Sequence, residues 1–125
     1  MKTILFSILI LFSINGFAFN WKKVYESSDS DFYVDVDNIK KRNGIVYYWT
    51  LVDLLEPFPS GTNSYIDKNK VDCIEGKRTW LSSTSYSQSM GKGRILVEDN
   101  PNRITYPKPI TTVYILMKFA CKNAR

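Results

Sequence analysis

Residues 31–55, "DFYVDVDNIKKRNGIVYYWTLVDLL", carry the clearest structural pattern in the chain. The first part alternates apolar and polar side chains, which is typical of a strand with one buried face and one solvated face. The apolar set is Phe32, Val34 and Val36, and the polar set is Tyr33, Asp35 and Asp37. Asn43-Gly44 then predicts a tight hairpin turn, because both residues adopt positive φ at low cost. The β-branched and aromatic run that follows predicts a returning strand, and therefore a hairpin from Phe32 to Leu55.

The middle of the chain continues in extended segments. "EPFPSGTN" (56–63) contains two prolines and a glycine, which end the hairpin's second strand. "SYIDKNKVDCIEG" (64–76) and "KRTWLSSTSYS" (77–87) read as two more strands around a turn at Glu75-Gly76. "MGKG" (90–93) and "EDNPNR" (98–103) are expected in loops, with a strand between them. These segments predict an antiparallel meander of five to six strands.

The tail "ITTVYILMKFACKNAR" (110–125) changes to helical spacing. Thr111 or Thr112 is available as a cap, and basic residues gather in the last turn, where they complement the helix dipole. A strand is the alternative, since Thr, Val, Tyr and Ile are good strand formers. The sequence therefore predicts an α+β fold, in which one C-terminal helix packs on one face of the sheet and the other face is open to solvent. The apolar positions at helical spacing are Val113, Leu116, Met117 and Ala120.

The first eighteen residues have the three parts of a secretory signal peptide: the cation Lys2, an apolar run at 4–14 and the small-x-small triplet 16–18. Eleven helical residues rise only about 16 Å, against a bilayer core of about 30 Å, so a membrane anchor is disfavoured. We predict a signal peptide at 1–18, one domain at 19–125 with no membrane anchor, and export to the periplasm or the medium.

The charge of the chain is mildly basic, with 17 Lys and Arg against 12 Asp and Glu and a formal net charge of +5. The longest cationic block is Lys40-Lys41-Arg42. A nucleic-acid-binding protein typically shows a concentrated basic stripe with stacking aromatics, so we expect no nucleic-acid partner. The excess of positive charge favours solubility and a weak attraction to anionic surfaces.

Two cysteines and no histidine restrict the chemistry. Because an exported chain with exactly two cysteines is expected to pair them, Cys73 in a predicted strand and Cys121 in the predicted helix are a candidate disulfide. A catalytic thiol or serine needs a neighbouring base, and histidine is absent. We predict that the protein is not an enzyme.

Other candidate sites have simpler interpretations. Gly91-Lys92-Gly93 suits a tight turn better than a phosphate loop, since a strand and not a helix follows it. Asp35, Asp37 and Asp53 are too few for calcium without a ligand loop, so solvated strand positions and turn caps are expected. We predict no cofactor and no metal.

The tyrosines and tryptophans are numerous for one small core, at 8 and 3 residues. Such side chains are favoured at protein interfaces, because each joins a large apolar body to a polar tip. The alternative is ordinary packing, with Trp49 and Trp80 in the core.

The ordered motifs resemble the bacterial surface-adhesin protein E-like family. They are "YVDVDNI" (33–39), "NGIVYYWTLVD" (43–53), "SY" (64–65), "VDC" (71–73), "LSSTSY" (81–86), "MGKG" (90–93) and the late Cys121. The resemblance implies an antiparallel sheet packed against a C-terminal helix, a disulfide between Cys73 and Cys121, and export. The family's namesake carries a lipidated cysteine, for which this chain has no equivalent near its signal segment.

The function implied by the resemblance is adhesion, with host matrix or plasma proteins as partners. The alternative is a periplasmic structural or stress-related domain without a host ligand. Strand edges also allow two copies to pair edge to edge, so a homodimer is possible. The candidate partner-binding residues on the solvated face are Lys40, Lys41, Arg42, Tyr33 and Tyr47.

Overall fold

A computed structural model describes residues 18–125, so the predicted signal peptide lies outside the described residues except for Ala18. The described chain forms one antiparallel sheet of eight strands in the order β1-β2-β4-β5-β6-β7, with β3 paired to β4 and β8 to β6. One helix, α1, follows the sheet. The predicted α+β fold is confirmed, with more strands than the five to six expected. The elements are β1 (Trp21–Glu26), β2 (Ser30–Asp35), β3 (Lys40–Arg42), β4 (Ile45–Leu54), β5 (Ser64–Asp72), β6 (Lys77–Gln88), β7 (Lys92–Asp99), β8 (Arg103–Thr105) and α1 (Thr112–Asn123).

The predicted hairpin is present, but its first strand is broken into β2 and β3, which both pair with β4. Asp35 causes the break. Its carboxylate accepts hydrogen bonds from the Asp37 amide at 3.2 Å and the Asn38 side chain at 2.7 Å, and these bonds close a turn. The Asn20 amide donates to it as well, at 3.1 Å. Asp35 is 0% exposed, so its predicted solvated position was wrong and its predicted role in a turn was right.

Strands β1 and β8 have weak sequence patterns. The sequence of β1, "WKKVYE", places lysines next to each other and hides the alternation. Its register with β2 also shifts between Lys23 and Tyr25, which breaks the period of two. The strand β8 has only three residues, which pair with β6 from Arg78↔Thr105 to Trp80↔Arg103.

The predicted helix is confirmed, and the strand alternative for the tail was wrong. Thr111 is the N-cap, and its hydroxyl accepts a hydrogen bond from the Tyr114 amide at 3.3 Å. Three of the four predicted apolar positions are buried, whereas Val113 is 38% exposed near the first turn. The helix packs against one face of the sheet and forms the main core there. The core residues are Val34, Ile39, Val46, Tyr48, Val71, Leu116, Met117 and Ala120.

The disulfide between Cys73 and Cys121 joins the turn after β5 to the last turns of α1, with 48 residues of sequence separation. The backbone beyond the helix is also attached to the sheet, because the Lys41 amide donates a hydrogen bond to the Arg125 carbonyl at 3.1 Å. The helix is therefore fixed at its C-terminal end by one covalent link and one hydrogen bond.

Candidate functional site

Residues of β4 alternate between the two faces of the sheet. Val46 and Tyr48 face α1, and the intervening side chains project from the opposite face, which we call the second face. The register with β5 assigns Lys68 and Lys70 to the second face, since they pair with Trp49 and Tyr47. The second face carries most of the aromatic and cationic side chains singled out from the sequence.

One end of the second face is covered by a short 3-10 turn, Ser89–Gly91. Asp53 holds this turn, because its carboxylate accepts hydrogen bonds from the Ser89 hydroxyl and the Met90 amide, both at 2.9 Å. The Gly91 amide donates to the Ser64 hydroxyl at 2.9 Å. That hydroxyl in turn donates to the Gln88 carbonyl at 2.6 Å. The turn predicted from "MGKG" is confirmed.

Beneath this turn lies a second, smaller core made of Leu51 and Ile66, which are 0% and 5% exposed. Gly91 makes the close approach possible. A Cβ atom at Gly91 would lie 2.7 Å from Cδ1 of Ile66, and the residue has a φ of +68°. The expectation that this face is entirely open was therefore wrong at the end where Asp53, Ser64 and Gly91 meet.

The other end of the second face carries a group of five side chains that we call the aromatic-cationic surface: Lys40, Arg42, Tyr47, Trp49 and Lys68. Lys68 Nζ lies 5.4 Å from the centre of the Trp49 ring, and Arg42 Cζ lies 6.0 Å from that of Tyr47. Such distances allow cation-π attraction. Together with Asn38 the five side chains line a hollow of about 320 Å³.

Two further aromatics extend the aromatic-cationic surface toward β1. The Phe19 ring stacks on Trp21 with centroids 4.5 Å apart and meets the edge of Trp49 at 5.6 Å. Trp49 is only half-buried, so the expected core position of this side chain was wrong. Trp80, also expected in the core, is half-buried on the helix side, with Arg78 and Arg103 near its ring.

The structure separates the residues of the predicted cationic block. Lys40 and Arg42 lie on the second face, whereas Lys41 pairs with Val46 and projects from the helix side. Tyr33 pairs with Leu51 on the second face but does not line the hollow. Burial raises the pKa of Tyr33, while the nearby Lys23 lowers it. Of the five predicted residues, three thus come together, and Trp49 and Lys68 join them.

The sequence signal for Trp49 and Lys68 was the alternation of side chains between the two faces of a strand. From Tyr47 the same face continues at Trp49, and antiparallel pairing with β5 places a lysine beside it. The exact partner depends on the register, which the turn at 56–63 does not reveal from its composition alone. The pairing of Trp49 with Lys68 therefore could not be predicted from the sequence.

The cations of the aromatic-cationic surface are not neutralised within residues 18–125. The ion pairs found there join Lys23 to Glu26 at 3.0 Å and to Asp31 at 3.4 Å. Neither pair involves the cations of the hollow, and no carboxylate lines it. Uncompensated cations around aromatic rings favour an acidic partner.

The carboxylates weighed for calcium are spread over the sheet. Asp53 pairs with Asp31 and binds the 3-10 turn, whereas Asp35 lies at the other end of β2. Over residues 18–125 there is no group of three His, Cys, Asp or Glu side chains suited to a metal ion.

Within the same described part of the chain, no helix combines the length and the apolar character needed to span a bilayer.

Comparisons with solved structures agree with this fold. Haemophilus influenzae protein E matches with a TM-score of 0.60 and 19% identity, over 86% of this chain and 88% of that chain. Its second crystal form matches with a TM-score of 0.57 and 19% identity, over 86% and 98% of the two chains. Protein E from non-typeable Haemophilus influenzae gives a TM-score of 0.57 at 18% identity, over 86% and 79%.

Among curated proteins, none matches the chain in sequence. The family described as Surface-adhesin protein E matches residues 21–122, which include all eight strands and nearly the whole helix. At this extent of match the assignment follows directly: the chain belongs to the Surface-adhesin protein E family.

Proposed function

We propose that this protein is an exported, non-enzymatic binding protein that engages an extracellular protein partner through the aromatic-cationic surface. The observation that carries the proposal is the grouping of three cations without a carboxylate partner around Tyr47 and Trp49. Membership of a family named for surface adhesion supports it. The three cations are Lys40, Arg42 and Lys68.

The chemistry of this surface fits an acidic, extended protein segment. Aromatic residues and arginine contribute much of the binding energy at protein interfaces, and Trp49 and Arg42 are of these types. The hollow of about 320 Å³ is lined by cationic and aromatic side chains, which suits a side chain of a protein partner. Its cations add a salt-sensitive electrostatic component to the association.

Export and the lack of catalysis complete the proposal. A disulfide is stable in the periplasm and outside the cell, and the Cys73–Cys121 bond is consistent with both. The serines of β6 lie along a strand without a histidine anywhere in the sequence to activate them. Labelling of intact cells with an impermeant reagent distinguishes a surface adhesin from a protein retained in the periplasm.

The proposal is tested by binding of the purified domain to immobilised matrix and plasma glycoproteins at low and at physiological salt. The test variant replaces the three cations with serine. Its control removes three cations from the helix side, Lys41, Lys118 and Lys122, so that both variants change the net charge equally. We expect the test variant to lose about tenfold or more in affinity, while the control loses about threefold or less.

Two results would contradict the proposal. Equal losses in the two variants mean that the net charge, and not this surface, attracts the partner. Absence of binding by the unsubstituted protein at both salt concentrations rejects adhesion to these glycoproteins and favours the periplasmic structural alternative. The single variant Trp49→Ala then reports on the aromatic contribution separately from charge.

A further inference from the structure

The aromatic-cationic surface places aromatic rings and cations close together, and this combination narrows the kind of acidic residue that fits it. Lys68 Nζ lies 5.4 Å from the centre of the Trp49 ring, and Arg42 Cζ lies 6.0 Å from that of Tyr47. Within residues 18–125 neither cation forms an ion pair, and no carboxylate lines the hollow. The hollow therefore offers positive charge and aromatic surface side by side.

The strands place these cations on two sides of the rings. Lys40 on β3 pairs with Tyr47, and Lys68 on β5 pairs with Trp49. Neighbouring strands lie about 4.8 Å apart, so an anion seated over β4 has a cation on each side. A carboxylate has two oxygens in one plane, whereas a sulfate ester has three terminal oxygens that point in different directions. Donors that approach from both sides therefore suit a sulfate ester better than a carboxylate.

The wall of the hollow on the β3 side is held in position. The Asn38 side chain lines the hollow and donates a hydrogen bond to the buried Asp35 carboxylate at 2.7 Å. Behind the strand, the Lys41 amide donates to the Arg125 carbonyl at 3.1 Å. A wall that is already ordered lowers the entropic cost of binding a partner.

The residue types that an acidic protein segment offers differ in how well they fit this hollow. The Asp and Glu side chains reach the cations, but their short aliphatic chains leave the two rings uncovered. Unmodified tyrosine covers the rings and brings no charge. Sulfotyrosine joins an aromatic ring to an anion at its far end, so it contacts the rings and the cations together. Tyrosine sulfation is a modification of secreted proteins, which agrees with an extracellular partner.

We propose that the aromatic-cationic surface recognises a sulfotyrosine residue within an acidic segment of an extracellular protein. The sulfate group lies among Lys40, Arg42 and Lys68, and the Arg42 guanidinium donates two parallel hydrogen bonds to it. The tyrosine ring packs against Tyr47 and Trp49. This inference rests on the function proposed above, and it adds the residue type by which the partner is recognised.

Four peptides test the inference. They share one acidic sequence and differ only at a central position, which is sulfotyrosine, phosphotyrosine, tyrosine or glutamate. Their dissociation constants are measured by isothermal titration calorimetry at physiological salt. We expect the sulfotyrosine peptide to bind about tenfold or more tightly than the tyrosine and glutamate peptides. It should also shift the indole N–H signal of Trp49 in a two-dimensional ¹H–¹⁵N spectrum and leave that of Trp80, on the helix side, in place.

The variant Arg42→Lys separates recognition of the sulfate from simple attraction of charge. It keeps the net charge and removes the planar guanidinium, so we expect the sulfotyrosine peptide to lose about threefold or more in affinity while the glutamate peptide changes little. The matched control Arg94→Lys makes the same change on β7, two strands beyond β5. Tyr47→Leu keeps all three cations and should reduce the preference for the sulfotyrosine peptide over the glutamate peptide. Unaltered dispersion of the amide signals confirms that each variant is folded.

The outcomes separate this inference from the function on which it rests. Equal affinity for the sulfotyrosine, tyrosine and glutamate peptides would overturn the inference, whereas binding of matrix and plasma glycoproteins through the same three cations would leave the proposed function standing. Tighter binding of the phosphotyrosine peptide would overturn the assignment to sulfate. A heparin fragment that shifts the Trp49 signal when the sulfotyrosine peptide does not would assign the surface to a sulfated glycan and overturn the inference as well. If neither the peptides nor the glycoproteins bind, both proposals fail.

Discussion

The two faces of the sheet are covered by different structural elements, a helix on one side and a short turn on the other. On the helix side, twelve residues of α1 bury a large core and are fixed by a disulfide. On the second face, a three-residue turn covers Leu51 and Ile66 and is fixed by hydrogen bonds to Asp53 and Ser64. The larger cover supplies most of the apolar burial. The smaller cover does not extend to the aromatic-cationic surface on the rest of its face.

The difference indicates that the two covers stabilise the sheet in different ways. The helix side depends on apolar area, whose contribution is roughly 25 cal/mol for each Å² removed from water. The second face depends on a few directed hydrogen bonds around Gly91, so small changes there have local effects. Perturbing each cover separately therefore tests whether the two faces are energetically distinct.

The largest effect is expected from Cys121→Ser. A bond that closes 48 residues of separation contributes about 4 kcal/mol to the free energy of unfolding on the chain-entropy model. Urea denaturation of the oxidised protein and of the variant measures this difference, and the reduced unsubstituted protein serves as the control. The indole N–H signal of Trp49 in a two-dimensional ¹H–¹⁵N spectrum should keep its native chemical shift, because the second face does not contact the disulfide. A loss below about 1 kcal/mol would show that the hydrogen bonds and apolar contacts of α1 suffice.

The second effect concerns the cover of the second face, through Gly91→Ala with Gly76→Ala as the matched control. Both glycines have positive φ, at +68° and +70°, but only Gly91 has a neighbour in the way, with Ile66 Cδ1 2.7 Å from the added Cβ. Positive φ costs about 1 kcal/mol in each variant, and overpacking adds about 1–3 kcal/mol in Gly91→Ala alone. Thermal or urea unfolding measures both values. Equal losses would mean that Ile66 moves aside freely and that this cover is loosely packed.

These two covers were predictable to different degrees. The helix follows from the spacing of Leu116, Met117 and Ala120 and from its Thr111 cap, because both signals are local in sequence. The turn at 90–93 was predictable as a turn, but not as a cover for Leu51 and Ile66. That role depends on Asp53 and Ser64, which lie 37 and 27 residues away from their backbone donors Met90 and Gly91. Family resemblance placed these residues in one ordered set of motifs, and only the structure gives the reason.

The residues of the candidate site also differ in how far the sequence predicts their positions. Lys40, Arg42 and Tyr47 belong to the hairpin, whose turn fixes the register, and they were predicted and found together. The predicted position of Trp49 was wrong. A large aromatic side chain in a strand is expected to face the core, and the sequence alone does not show which face of β4 packs against the helix. The contact between Asp67 and Trp80 joins β5 to β6 and depends on a register shift between Lys68 and Asn69. No local signal in the sequence reveals this contact.

The third effect separates two adjacent tyrosines that lie on opposite faces. Burial raises the pKa of Tyr48 to about 12, from an ordinary value of 10.0. Because the folded value lies above the unfolded one, this contribution to stability is present below pH 10 and is lost as the pH rises toward 12. The loss amounts to roughly 2–3 kcal/mol at about 1.36 kcal/mol for each pH unit.

Unfolding in urea from neutral to alkaline pH measures this dependence. The variant Tyr48→Phe should have a flatter profile above pH 10, whereas Tyr47→Phe on the second face should follow the unsubstituted protein. Coincident profiles of the two variants would show that the phenol under α1 is not held from water, and the contrast between the faces would then be weaker than the burial of Tyr48 implies.

The smallest effect is expected from Asp67→Asn. Burial raises the pKa of Asp67 above its ordinary 3.8 in the folded protein, so the ionised carboxylate costs stability at neutral pH and this cost disappears below pH 3.8. The variant should therefore be more stable by about 1 kcal/mol at neutral pH, a typical cost of a buried group whose hydrogen bonding is incomplete. Its advantage should shrink as the pH falls through the folded pKa, and melting temperatures across that range measure the change.

Asp53→Asn is the comparison on the second face. There the carboxylate already accepts hydrogen bonds from Ser89 and Met90, so the same substitution should destabilise the protein at neutral pH. A destabilised Asp67→Asn would mean that the hydrogen bonds from Ser83 and Trp80 outweigh the cost of burying the charge.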